Sequence, residues 1–157
     1  MRPAARVRPR AGVTARRRGF TTIEILIAVA LVGVLATLAL PSYGTYIARA
    51  RLLDAATRLS DHRAKMEQYF LDRRSYVDAS GSCGAAPPAA APADPFDVAC
   101  SATPSSYRIV ATGRAAGGMS GFALAVDESG QRTTIAVPAG WTRTADCWTT
   151  RPDGTCL

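Results

Sequence analysis

Residues 16–40 read RRRGFTTIEILIAVALVGVLATLAL, and this stretch decides the architecture of the chain. Three arginines and Gly19 run directly into Phe20 and an apolar segment that carries one acidic residue, Glu24. From Ile25 to Ala48 there is no charged residue, which is long enough for a helix that spans a bilayer. A charge within lipid costs about 2.5 to 3.5 kcal/mol even on lenient insertion scales, so Glu24 indicates a role played in the membrane or on leaving it.

The formal net charge of +7 comes from the start of the chain and not from its body. Residues 1–19 hold seven arginines and no acid, and residues 20–157 hold twelve basic and twelve acidic residues. Binding to a phosphate backbone needs an excess of Lys and Arg on the folded part, so this distribution argues against a nucleic-acid partner. The positive-inside bias places the leader in the cytoplasm and the residues after Tyr43 across the membrane, where disulfides persist.

Gly19, the small residue at the junction between the basic stretch and the apolar segment, lies before the apolar segment. A secretory signal is cleaved after its apolar stretch, where Ala36, Ala39 and Pro41 form a weaker site. Cleavage after Gly19 would instead leave the apolar segment on the product.

The junction resembles the class III signal of type IV prepilins and of the related secretion pseudopilins. Gly19 stands before the cut, Phe20 is an aromatic first mature residue, and Glu24 is the acid at the fifth mature position. The resemblance is close over residues 16–53 and holds in outline beyond them. It implies that a prepilin peptidase removes residues 1–19 on the cytoplasmic side and methylates the new amine of Phe20.

The resemblance also implies a location and a set of partners. Residues 20–42 would cross the inner membrane once, and the head, residues 43–157, would lie in the periplasm before assembly and on a cell-surface pilus afterwards. The partners would be the prepilin peptidase, other pilins, a pilus or secretion assembly platform, and the inner membrane.

Two interpretations of Glu24 remain open. A buried carboxylate needs a cation, and the Phe20 amine of this or a neighbouring subunit is the nearest candidate, so Glu24 would set the register of assembly. Alternatively, Glu24 only complements the dipole at the helix N-terminus, worth about 0.3 to 1 kcal/mol.

Beyond Pro41, apolar residues recur at steps of three and four, which predicts that an amphipathic helix continues to about Ser75. The predicted apolar face consists of Tyr43, Tyr46, Ile47, Ala50, Leu53, Ala56, Leu59, Met66, Phe70 and Tyr76. Gly33 and Pro41 are positions where the helix can bend or unwind, and Pro41 is equally compatible with a helix boundary at the membrane surface. His62 is predicted to be a surface or packing residue, because no other His or Cys stands at ligand spacing.

The rest of the chain predicts a small antiparallel sheet. Residues 43–77 complete the helix, and residues 78–106, rich in Pro, Ala, Gly and Ser, predict a long loop. Residues 107–137 predict three strands, namely Tyr107–Thr112, Gly121–Asp127 and Arg132–Val137, the last two forming a hairpin. Because alternate side chains of a strand point to the same face of a sheet, two sets of apolar residues are predicted to face the helix. They are Tyr107, Ile109 and Ala111 in the first strand, and Phe122, Leu124 and Val126 in the second. The predicted class is α+β: a long N-terminal helix, first transmembrane and then amphipathic, packed on an antiparallel head, as the resemblance to type IV pilins implies.

Four cysteines allow three pairings. Locality and the resemblance to pilins favour Cys83 with Cys100 and Cys147 with Cys156, the second bridge closing the C-terminal region 138–157. We expect no metal site, because the sequence contains no CxxC pair.

No catalytic pattern is present in the sequence. It lacks a nucleophile elbow, a phosphate-binding glycine loop and a His/Glu metal spacing, so we expect a non-enzymatic protein without a cofactor. The favoured function is a type IV pilus subunit, specifically a minor pilin, in a filament serving motility, adhesion or DNA uptake. The alternatives are a type II secretion pseudopilin and an ordinary single-pass membrane protein.

Overall fold

The structure, a computed structural model, describes residues 19–157 apart from the side chains of residues 38–42. One helix is followed by four strands: α1 Thr22–Arg73, β1 Phe96–Ala102, β2 Tyr107–Gly113, β3 Ala123–Asp127 and β4 Arg132–Ala136. The chain divides into two units, with the division between Leu38 and Ala39, and each unit is described by itself. Apart from Gly19, the predicted leader lies outside the described residues.

α1 ends at Arg73, two residues before the predicted end near Ser75, and the last residues of the range 43–77 assigned to the helix are not helical. The helix is terminated by Arg74, whose φ of 56° lies in the left-handed region and whose amide donates to the Phe70 carbonyl at 2.7 Å. Position 41 is helical, so the alternative of a helix boundary at Pro41 is wrong. The proline lacks one backbone donor, and the helix nevertheless continues past it through weak helix formers such as Ser42 and Gly44.

The four strands form one antiparallel sheet in the order β1-β2-β3-β4. The predicted hairpin of β3 and β4 is confirmed. Its turn is held by Asp127, whose carboxylate accepts hydrogen bonds of 3.0 Å from the amides of Ser129 and Gln131. Gly130 has a φ of 79°, which favours glycine at this position of the turn.

The prediction of a loop through residue 106 is wrong, because β1 forms within it. The prolines that motivated the loop lie before the strand, up to Pro95, or after it, at Pro104. Between them the segment pairs with β2 along all seven residues. Local composition did not reveal this strand, because strand formation depends on its partner as much as on intrinsic propensity.

The core lies between the second half of α1 and one face of the sheet. All six strand positions predicted to face the helix are buried: Tyr107, Ile109, Ala111, Phe122, Leu124 and Val126. On α1 the predicted face is correct from Ala56 onward and wrong before it, since Tyr43, Tyr46 and Leu53 are 65%, 69% and 39% exposed. Leu52 and Ala55 are buried in their place. Apolar residues occur on several sides of this helix, so periodicity alone did not specify the buried stripe.

Candidate functional site

The residues of the predicted cleavage point lie just outside α1. Gly19, Phe20 and Thr21 precede the first helical residue, and the Phe20 side chain is 78% exposed. Apart from its neighbours in the chain, no described residue lies within 4 Å of the position that a Cβ on Gly19 would occupy. The Gly19–Phe20 peptide bond is therefore accessible in the described part of the chain.

Glu24 takes part in a reciprocal cap at the start of α1. The Glu24 amide donates to the Thr21 hydroxyl at 3.3 Å, and the Thr21 amide donates to the Glu24 carboxylate at 3.4 Å. This is a capping box, which satisfies two amides that a helix terminus leaves unpaired. Sequence reasoning missed Thr21, although the spacing Thr-x-x-Glu is a recognisable signal of a helix start. The geometry is the one expected from the helix-terminus interpretation of Glu24.

The apolar segment that follows is exposed on every side. Each residue from 19 to 37 is exposed, and the large apolar side chains among them are between 50% and 78% exposed. They are Phe20, Ile23, Ile25, Leu26, Ile27, Val29, Leu31, Val32, Val34 and Leu35. Around Gly33 no atom lies within 4 Å of the position of a Cβ, and the side chain of Pro41 is outside the described set. No helix in the described residues is both long and apolar enough to cross a membrane.

Two disulfides join the four cysteines. Cys83 is bonded to Cys100, with their Cα atoms 6.2 Å apart, and this bridge ties the segment after α1 to β1. Cys147 is bonded to Cys156, with a Cα separation of 5.9 Å, and closes a loop at the C-terminus. Within residues 19–157 no cluster of His, Cys, Asp or Glu side chains is arranged to hold a metal ion.

The C-terminal loop is docked on the sheet through Thr134 of β4. The buried Thr134 hydroxyl donates to the Cys147 carbonyl at 2.5 Å and accepts from the Thr149 amide at 2.9 Å. The indole of Trp148 is also buried and donates to the Ala125 carbonyl at 2.8 Å. Trp148 is thus a core residue.

His62 belongs to the core. It is 1% exposed, and neither ring nitrogen has a hydrogen-bond partner. Burial lowers its pKa below the usual value, and the charge of Lys65 adds to this effect. The side chain therefore fits the interior in its neutral form.

Two family models match this chain. One is described as "Type IV minor pilin ComP, DNA uptake sequence receptor" and matches residues 41–122, and the other is the prokaryotic N-terminal methylation motif, which matches residues 14–40.

Curated proteins match over slightly less than half of the chain. A type IV major pilin protein PilE1 of Neisseria gonorrhoeae is 36% identical over 72 residues, which cover 46% of this chain and 44% of that protein. The type IV major pilin protein PilA of Myxococcus xanthus is 36% identical over 72 residues, covering 46% of this chain and 33% of PilA. The chain thus spans less than half the length of these relatives.

Among solved structures, the minor pilin PilV of Neisseria meningitidis superposes with a TM-score of 0.47 and 15% identity. The superposition covers 59% of this chain and 91% of PilV.

Proposed function

Because this chain belongs to the type IV pilin family, we propose that it is a minor pilin, cleaved after Gly19, methylated at Phe20 and assembled with other pilins into a filament or at its tip. The name of the family model that covers residues 41–122 favours a minor over a major subunit. The activity is structural, and no catalytic step is assigned to the chain.

The observation that supports this proposal most directly is the exposure of residues 19–37. Exposed apolar surface is unfavourable in water by about 25 cal/mol per Å², so a segment that is apolar on all sides needs lipid or other apolar helices around it. We place residues 20–42 in the inner membrane before assembly and against neighbouring pilin helices afterwards. The head, residues 43–157, then lies in the periplasm and later on the pilus surface. Gly33 and Pro41 are the positions where the helix bends or unwinds during the transfer from membrane to filament.

Glu24 has a further role in this proposal. Its carboxylate caps the helix of the isolated chain through Thr21. Cleavage after Gly19 creates a positively charged amine on Phe20, and an ion pair within an apolar filament is stronger than one in water. We assign Glu24 to pair with the Phe20 amine of a neighbouring subunit, which sets the register of assembly.

Substitution of Gly19 tests the processing step. We expect Gly19→Val to accumulate in the inner membrane as an uncleaved precursor, heavier by the leader, because a branched side chain would obstruct the peptidase at the scissile bond. Gly33→Ala is the matched control, since it also changes an exposed glycine without a close neighbour and should be processed normally. A normal mature mass for Gly19→Val, measured by intact mass spectrometry, would contradict the proposed cleavage point.

A second candidate function is a DNA receptor on the pilus, which the description of the matching family as a DNA uptake sequence receptor favours. The neutral charge of residues 20–157 argues against it. In its favour, only Arg58 and Arg114 form ion pairs with carboxylates within the described residues, so exposed arginines such as Arg49, Arg73 and Arg108 have no carboxylate partner there. Fluorescence anisotropy of a labelled DNA duplex, titrated with the processed protein at low salt, tests this candidate. Absence of binding at low salt rules it out.

The remaining alternative is a pseudopilin of type II secretion. It predicts that deletion of the protein blocks secretion of folded proteins and leaves surface pili unchanged. Recovery of the protein in filaments sheared from the cell surface supports the pilin instead.

A further inference from the structure

A cleft with a basic character lies on the head between α1 and the C-terminal loop. Its volume is 240 Å³, and we call it the basic cleft; it is lined by Thr45, Tyr46, Arg49, Thr150, Arg151 and Pro152. The first three residues belong to α1 and the last three follow the buried Trp148 in the C-terminal loop.

The charges of this cleft are only partly offset by nearby acids in the described residues. No carboxylate lines it, and neither Arg49 nor Arg151 forms an ion pair in the part of the chain that the structure describes. The acid close to it is Asp153, whose carboxylate is engaged by the Thr155 amide at 2.9 Å. Hydrogen bonds from Thr155 lower the pKa of Asp153, and the charge of Arg151 adds to them. Asp153 therefore stays ionised and offsets part of the charge of Arg151, and the two arginines of the cleft outnumber this one acid.

The wall formed by the C-terminal loop is held in place before any ligand arrives. The Thr150 amide donates to the Thr155 carbonyl at 2.8 Å, and the Thr142 amide donates to the Pro152 carbonyl at 2.9 Å. The disulfide between Cys147 and Cys156 closes the loop. A fixed wall reduces the entropy that a ligand must remove on binding.

The position of the cleft along α1 relates it to the apolar segment. Tyr46 and Arg49 follow Leu40, the last residue of the aliphatic run, by six and nine residues. At about 1.5 Å per residue, Arg49 lies roughly 13 Å along the helix beyond Leu40. Tyrosine next to arginine at such a place is typical of the lipid headgroup region.

We propose that the basic cleft binds the phosphate of an anionic phospholipid headgroup in the periplasmic leaflet of the inner membrane while the subunit awaits assembly. This inference rests on the proposed membrane residence of residues 20–42. Two guanidinium groups supply forked donors for the phosphate oxygens, and the Tyr46 hydroxyl supplies a further donor. The same chemistry would serve free phosphate or DNA, but the short distance along the sequence to the apolar segment and the small volume of the cleft favour a single headgroup. Binding there would hold the head against the membrane until extraction releases it.

The experiment compares lipid selectivity in variants of the full chain. The protein is reconstituted into vesicles of phosphatidylcholine alone and of phosphatidylcholine mixed with phosphatidylglycerol, and bound lipids are counted by native mass spectrometry. The test variant is Arg49→Gln with Arg151→Gln. The matched control is Arg73→Gln with Arg108→Gln, which removes the same charge from two exposed positions outside the cleft. The arginine-rich leader is identical in all variants, so its own attraction to anionic lipid cancels.

We expect the double variant in the cleft to lose retention of phosphatidylglycerol by about fivefold for each arginine removed, and the control to retain it. Equal retention in the two variants would overturn the assignment. Tight binding of inorganic phosphate or of a DNA duplex would also overturn it. That result would be an affinity for the detergent-solubilised protein that equals the affinity for the lipid and depends on the same two arginines. Failure of the protein to insert into vesicles of phosphatidylcholine alone would instead contradict the proposed membrane residence, which distinguishes the two failures.

Discussion

The carboxylate of Glu67 on α1 accepts a hydrogen bond of 2.7 Å from the hydroxyl of Tyr107, the first residue of β2. Its second oxygen accepts a hydrogen bond of 3.1 Å from Tyr76, which follows the helix. The rings of Tyr76 and Tyr107 meet edge to face, with centroids 4.7 Å apart. A single carboxylate therefore joins the end of the helix, the segment that leaves it, and the sheet.

We predict that Tyr107→Phe lowers the free energy of unfolding by about 1.5 to 3 kcal/mol, because it removes a hydrogen bond to a charged group. Tyr76→Phe should cost less, since its bond is longer. Urea unfolding of the full chain in detergent, followed by tryptophan fluorescence, measures both effects. Tyr46→Phe is the control, because that side chain is exposed and has no hydrogen-bond partner in the described residues. Equal losses for Tyr46→Phe and Tyr107→Phe would show that the Glu67 contact contributes nothing to stability.

Because the imidazole of His62 is buried, we predict that the head loses stability in mild acid. Burial lowers the pKa of this base in the folded state, so the unfolded chain binds a proton more readily. Stability is therefore full above the ordinary pKa of histidine, about 6.5, and falls as the pH drops below it. Since the chain has one histidine, the change between about pH 8 and pH 5 reports mainly on His62.

The variant His62→Leu should flatten this pH dependence, because it replaces the imidazole by an apolar side chain. Met66→Leu, a change of similar volume in the same buried stripe, should keep the dependence. Unfolding free energies at a series of pH values provide the measurement. A slope that persists in His62→Leu would assign the acid sensitivity to another group.

The hydrogen bonds of the Thr134 hydroxyl link the sheet to the C-terminal loop. We expect Thr134→Val to lower the free energy of unfolding by about 1 to 3 kcal/mol, because the Cys147 carbonyl and the Thr149 amide would lose a buried partner. Thr112→Val, at an exposed position of β2, is the control. Hydrogen exchange should show faster opening of the C-terminal loop in Thr134→Val alone, and an unchanged exchange rate there would refute the link.

Glu24 permits a test that separates assembly from helix capping. Glu24→Gln removes the charge and keeps a side chain that can complete a capping box, whereas Thr21→Ala removes the cap and keeps the charge. We predict that Glu24→Gln is processed, stays in the membrane and is absent from sheared filaments, while Thr21→Ala enters them. Protease resistance of the head is the folding control for both. Exclusion of Thr21→Ala together with incorporation of Glu24→Gln would assign Glu24 to the helix terminus alone.

The sequence by itself determined the features that depend on neighbouring residues. The junction at Gly19 and Phe20 is a contiguous motif, and α1 follows from an apolar run joined to a pattern of three- and four-residue steps. The hairpin of β3 and β4 follows from alternation on both sides of a short turn. These signals act over a few residues, so no partner elsewhere in the chain is needed to interpret them.

Only the tertiary structure decided the features that depend on distant residues. β1 forms in a segment of unfavourable composition because β2 supplies seven paired residues and Cys83 supplies a covalent tie. The buried stripe of α1, including His62, was decided by where the sheet covers the helix and not by the period of the helix itself. The basic cleft likewise has Arg49 and Arg151 in one lining, although they are about a hundred residues apart in sequence, and such an arrangement arises only when long-range packing closes the head.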